Sequence, residues 1–199
     1  MTQNLPMSKN IDVLKQELKV KSLSKTIPNR LCVQPMEGAD GTRCGAPDEL
    51  AIRRYDRFSR SGAGLLWFEA VAIENEGRAN PHQLWMHEKN LDDYKRQVER
   101  IRGGAKEAGQ PDPVIILQAT HSGRYSKPEP GGVFQPIIAC NNPIYEKDKP
   151  IPPERIVSDD HLRRLEESYA VTTRLAMEAA LLCPTSKFGN SSVASLLAE

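Results

Sequence analysis

Three stretches in the first 125 residues place polar groups directly after short apolar runs: Gln34-Pro35-Met36-Glu37, Glu69-Ala70, and Gln118 with His121. A glutamine amide donates and accepts together, so Gln118 suits ligand recognition. It also suits the plainer role of a strand-end residue satisfied by a neighbouring loop. Pro35 and Met36 read on spacing alone as a strand terminator followed by a gap-filling core residue. A lone histidine such as His121 is more often a hydrogen-bonded structural residue than a catalyst. Glu69 interrupts an apolar run, so its carboxylate is expected to be buried and to need a cation, with Arg30 the natural candidate.

Other chemistries lack their residues. Cys32, Cys44, Cys140 and Cys183 form no C-x-x-C pair and have no histidine at zinc spacing, which reads as reduced thiols without metal. Neither a Schiff-base lysine nor a metal-ligand set stands at the ends of the apolar runs, so a lyase or aldolase without a redox cofactor is disfavoured. A formal net charge of +1 gives no electrostatic argument for nucleic acid or membrane surfaces. No apolar run approaches the roughly 20 residues of a membrane span. The N-terminus lacks a secretory pattern, so a cytoplasmic location is expected.

These groups must be carried by elements. Arg30–Gln34 reads as a strand stopped at Pro35. Asp48, after Pro47, opens a helix with Ala51, Tyr55 and Phe58 on one face, ended by Gly62 and Gly64. Leu65–Ile73 lacks clean alternation, as expected of a parallel strand buried on both faces. Asn90 is placed to cap a second helix, bearing Leu91, Tyr94, Val98 and Ile101, whose end Gly103 and Gly104 should weaken. Val114–Gln118 is a third strand, rich in β-branched residues. Residues 124–153 hold seven of the fifteen prolines and read as a long functional or disordered loop, with Arg124 its anchor. Ser158 caps a third helix carrying Leu162, Leu165, Tyr169, Thr172 and Ala176. Repeated βα units imply a parallel sheet, doubly wound or closed as a barrel. No G-x-G-x-x-G follows the first strand, which disfavours the dinucleotide-binding version.

At the strand ends the sequence resembles the old yellow enzyme family of NADH:flavin oxidoreductases, in its N-terminal part. The matching pieces are Pro28-Asn29-Arg30 with Pro35-Met36, Gly62-Ala63-Gly64-Leu65 leading to Glu69-Ala70, Glu76-Gly77-Arg78, and Gln118-Ala119-Thr120-His121-Ser122-Gly123-Arg124. They run in order from about Pro28 to Ala180. The resemblance implies an α/β TIM (β/α)8 barrel that binds FMN. It would take hydride from NADH or NADPH and pass it to an activated alkene or related small-molecule acceptor. It places Pro35 and Met36 against the flavin ring, Ala70 beside its pyrimidine side, and the Gln118 amide on the pyrimidine edge. Neither nucleic acid nor membrane is an implied partner, a homo-oligomer is left open, and no catalytic residue is assigned.

Two departures stand out. Glu37 occupies the position after Pro-Met where many relatives carry a small hydroxyl or thiol, so it falls among the cofactor contacts, where a carboxylate would destabilise the anionic reduced flavin by like-charge proximity unless it is protonated or points away. Ala39 stands where some relatives have a tyrosine. The chain also falls short of the roughly 250 residues of a complete barrel. Residues 1–27 read as an extension, 28–180 as a partial barrel domain of about three βα units, and 181–199 as a tail without the expected fourth strand. Such a chain is expected to leave an open sheet edge and to bind FMN weakly or not at all. A non-catalytic half-barrel remnant or interaction module is the alternative function.

Overall fold

The computed structural model describes residues 10–20, 25–188 and 191–192. Five strands lie in sequence order: β1 (Cys32–Val33), β2 (Leu65–Ala72), β3 (Val114–His121), β4 (Leu182–Phe188) and β5 (Ser191–Ser192). The first four pair in parallel, and β5 turns back antiparallel on β4. Three helices intervene: α1 (Glu49–Ser59), α2 (Leu91–Glu107) and α3 (Asp159–Glu178). The architecture is therefore α/β with a parallel sheet built from three βα units, and the barrel is not closed among the described residues.

The helices start where the sequence says they should. The Asp48 carboxylate accepts from the Glu49 N–H, and the Ser158 hydroxyl accepts from the His161 N–H. Asn90 precedes α2, but its side chain does other work, accepting from the His87 N–H and donating to the Cys44 and Trp85 carbonyls. α2 runs through Gly103 and Gly104 to Glu107 instead of ending at them. A Cβ at Gly104 would overlap the Ser59 hydroxyl, so that glycine permits α1 and α2 to approach closely.

Alternation along the strands assigns the two faces of the sheet. Leu66 and Phe68 of β2 and Ile115, Leu117 and Ala119 of β3 form one core with Tyr55, Tyr94, Val98, Ile101, Leu165 and Leu175 from the helices. Past Phe68 the residues in that core are Val71 of β2 and then Ile73 just beyond its end, so the parity has switched. The switch follows from pairing: Phe68 matches Leu117 and Ala70 matches Gln118, leaving Glu69 as an extra residue. The opposite face carries a smaller cluster of Ile27, Val114 and Ile116, packed by Leu18, Leu65, Trp67 and Leu182.

The fourth strand corrects the reading of residues 181–199 as a strandless tail. Leu182–Phe188 pairs with β3 from Ile116 to His121 and covers the edge expected to be open. Sequence obscured it because Pro184 cannot donate to a ladder. The pairing absorbs this with one extra residue: Ile116 matches Leu182, whereas Gln118 matches Thr185. The rest of that tail, residues 189, 190 and 193–199, lies outside the described residues.

The proline-rich segment after β3 is tied down at several points. Arg124 forms an ion pair with Glu146, as expected of the anchor, and Glu146 also accepts from the Asn142 N–H. Ile138 bridges to Ile156, and the Asn141 side chain clamps Ile151 through both its amide atoms. No helix among the described residues is long and apolar enough to cross a membrane.

Candidate functional site

The register of β2 and β3 sets Ala70 directly beside Gln118. Both lie on the face turned away from the helices, because β3 keeps its odd-numbered residues in the helix-side core and the Glu69 bulge gives β2 the same phase. Ala70 is buried and small; Gln118 is half-buried, and no hydrogen bond to a described residue engages its amide. The pair therefore sets a small side chain beside a donor and an acceptor on one planar group.

The loop after β1 reaches the same strand tips. Glu37 accepts from the Asn80 amide at 3.0 Å and from Gln83 Nε2 at 3.2 Å. Gln83 is fully buried and continues the chain of bonds, donating to the Ala70 carbonyl at 2.9 Å and approaching Thr120 Oγ1 at 3.4 Å. Its side-chain Oε1 accepts from the Ala79 N–H. One side chain thus joins the tips of β1, β2 and β3. Pro35 is half-buried, and Met36 stands 70% exposed at the lip of the loop. Glu37, whose charge the sequence left without a role, is engaged by two neutral amide donors, which disperse it.

Glu69 is fully buried, as its place in an apolar run implied, but its cation is Arg54 of α1 and not Arg30. The parallel register explains the correction. Cys32 pairs with Leu65, so Arg30 lies before the start of β2, while Glu69 sits four residues beyond Leu65 towards the other end. Arg54 Nη2 meets Glu69 Oε1 at 2.7 Å, the Gly38 N–H meets Oε2 at 2.6 Å, and the Tyr55 hydroxyl lies 3.3 Å from Oε1. Burial pushes the Glu69 carboxyl above its ordinary pKa, opposed by Arg54 and the Gly38 N–H. Three surrounding donors suit the carboxylate form, which can only accept. Burial works against the Arg54 charge, yet Glu69 and Asp40 outweigh it and hold the guanidinium above its usual range.

His121 belongs to a different neighbourhood. It follows the odd-numbered parity of β3 and lies 1% exposed, with Nδ1 accepting from the Gly123 N–H at 3.1 Å. A Cβ at Gly77 would overlap its ring, so the Glu76-Gly77 turn packs flat on it. Burial, followed by the proximity of His161, pushes its pKa down to about 4. A neutral, enclosed imidazole is a structural histidine, the plainer of the two roles open to it.

Among the described residues no group of three histidine, cysteine or acidic side chains is arranged to hold a metal ion. Gln83, Asn80, Arg54 and Asp40 are the site residues that sequence reasoning missed. The buried Glu69 signalled that a cation was required; the polar loop from Glu74 to Lys89 gave no periodic signal for Gln83.

No family model matches the chain. An NADH:acrylate oxidoreductase from Vibrio harveyi is 32% identical over 111 residues, 56% of this chain and 10% of that protein. Among solved structures, a morphinone reductase in complex with tetrahydroNAD superposes with a TM-score of 0.65 at 22% identity, covering 88% of this chain and 48% of the other. The old yellow enzyme homologue from Zymomonas mobilis gives 0.64 at 23% identity, covering 88% and 47%. The chain resembles the N-terminal part of an old yellow enzyme homologue. It spans about half the length of these solved structures and a tenth of the curated relative. A 2-naphthoyl-CoA reductase in complex with 2-naphthoyl-CoA shares the fold more distantly in sequence, at 14% identity and a TM-score of 0.70 over 89% of this chain and 27% of that one.

Proposed function

We propose that the tips of β1, β2 and β3 form part of an FMN site, in an oxidoreductase that uses NADH or NADPH to reduce an activated alkene or related acceptor. The observation that carries this reading is the Ala70–Gln118 pair, which sets a small residue beside an amide that no described residue engages, on the face away from the helices. A flavin pyrimidine edge alternates donors and acceptors, and one glutamine amide complements it with both. Pro35 and Met36 would form the lip against the ring, and Gln83 would hold Glu37 and the Ala70 carbonyl in place beneath it. When bound, FMN would supply the hydride relay between nicotinamide and acceptor, while the protein binds and orients it.

The residues fit the ring better than they fit the phosphate. Arg54 is committed to Glu69, Asp40 and the Met36 carbonyl, and Arg78 to the carbonyls of Gln83, Arg43, Thr42 and Pro81 and to the Asn75 side chain. Weak affinity is therefore expected of the described contacts alone.

Titration of the chain with FMN, followed by quenching of flavin fluorescence, tests the reading. Saturable quenching is expected, with Gln118→Leu weakening it about tenfold, the equivalent of the one or two neutral hydrogen bonds lost. Reduction of bound flavin by NADH or NADPH under anaerobic conditions then tests the oxidoreductase assignment. Quenching that never saturates, or that is indifferent to Gln118→Leu, would leave the non-catalytic half-barrel as the better account.

A further inference from the structure

Residues 36, 38 and 40 of the loop after β1 are each held by a separate bond, and all of these bonds end on two side chains. The Gly38 N–H donates to Glu69 Oε2 at 2.6 Å. The Met36 carbonyl accepts from Arg54 Nη1 at 3.3 Å. The Asp40 carboxylate accepts from Arg54 twice, through Nε at 3.1 Å and Nη2 at 2.9 Å. Arg54 and Glu69 close the circuit at 2.7 Å. Burying a lone carboxylate would require only one cation; here its second oxygen is given to a loop amide.

Two further observations indicate that this arrangement is built around the loop. A Cβ at Gly38 would overlap both Asp40 Oδ1 and Arg54 Nη2, so the guanidinium lies against bare backbone. Glu69 is also the extra residue of the β2 bulge, and its own N–H donates to the Tyr55 hydroxyl at 2.9 Å. The same residue therefore turns Ala70 to the face it shares with Gln118 and grips the loop that carries Pro35-Met36-Glu37.

We propose that the buried Glu69–Arg54 pair is the positioning device of this site, fixing the Met36–Gly38 backbone over the strand tips before any ligand arrives. Neither residue is a catalytic residue. Their effect passes through the loop backbone, and its functional part rests on the flavin reading above. A planar guanidinium reaching three acceptors cannot be replaced by the single point charge of lysine.

The test uses the full chain with Glu69→Gln, Arg54→Lys and, as a destabilised core control on α3, Leu175→Ala. Hydrogen exchange of the Gly38 amide, which needs no flavin, is the first readout. It should accelerate about tenfold or more in the two pair variants at a pH and temperature where all remain folded, the fold-change expected from losing a charge-assisted hydrogen bond. The control should leave it unchanged. FMN affinity and the visible spectrum of bound flavin form the second readout, both altered in the pair variants and retained in the control. Should Glu69→Gln fail to fold, Arg54→Lys, partly exposed and charge-conserving, carries the experiment. Unchanged Gly38 exchange in the pair variants, or equal acceleration in Leu175→Ala, overturns the proposal, as does wild-type flavin binding that the pair variants leave untouched. Absence of FMN binding by wild type counts against the flavin reading alone, and the exchange data then decide the positioning role.

Discussion

His121 shows what burial does to a single titratable group in this fold. Its Nδ1 accepts from the Gly123 N–H, so the folded ring is neutral with its proton on Nε2. The unfolded chain titrates near the ordinary value of 6.5, whereas the folded one holds out to about 4. Between those values the unfolded state binds a proton that the folded state refuses. Stability is therefore complete above pH 6.5 and falls as the pH drops towards 4, by about 3 kcal/mol at most at 1.36 kcal/mol per unit. Glu69, raised by burial, acts in the opposite sense, so the informative quantity is a difference between proteins that share it. Urea midpoints at pH 7 and pH 4.5 should show a smaller acid loss in His121→Gln than in wild type; equal losses would mean His121 does not dominate. Ala70 and Gln118 stand at the ends of apolar runs legible in the sequence, and the register of β2 against β3 sets them side by side. Sequence could not select Arg54 over Arg30, because only the register of β1 against β2 says which arginine reaches Glu69.

The elements were legible wherever periodicity or caps marked them, and illegible where tertiary contact overrode a local rule. Two adjacent glycines in α2 illustrate the second case. Glycine costs a helix interior roughly 1 kcal/mol relative to alanine, which is why Gly103 and Gly104 read as a weak end. The helix continues because Gly104 lets α1 lie close, whereas nothing lies within 4 Å of a Cβ at Gly103. The two positions should then respond with opposite signs. Gly103→Ala is expected to stabilise by up to about 1 kcal/mol from propensity alone. Gly104→Ala must displace the Ser59 hydroxyl from its bond to the Asp56 carbonyl, and is expected to destabilise by about 1 kcal/mol or more. Denaturant midpoints of the two variants decide it, and a gain at both positions would show that α1 and α2 are packed less tightly than this. β4 belongs to the same lesson. Its proline defeated the strand pattern, and only pairing with β3 across a bulge reveals it.

At the scale of the whole molecule the two faces of the sheet are unequally used. One lies under three helices in a continuous core, while the other bears a small cluster around Ile27, Val114 and Ile116. Ala70 and Gln118 belong to this second face, at the ends of strands whose pairing defines the fold. A ligand held there contacts β2, β3 and the loop after β1 only when they are assembled, so it binds the folded state and not the unfolded chain. Linkage then obliges it to raise stability, by about 2.7 kcal/mol at a hundred times its dissociation constant. For a domain of this length that corresponds to a rise in melting temperature of roughly 5–10 °C at 2–4 °C per kcal/mol. Riboflavin offers a stricter form of the test, since it has the ring without the phosphate. If the ring is what the site recognises, then with Arg54 and Arg78 both committed riboflavin should stabilise the chain as much as FMN at equal concentration. Gln118→Leu should diminish both shifts together. A shift with FMN that riboflavin cannot reproduce would mean that a cation other than Arg54 and Arg78 holds the phosphate, and the lack of any shift at high concentration of either flavin would remove the ground for a flavin site on this face.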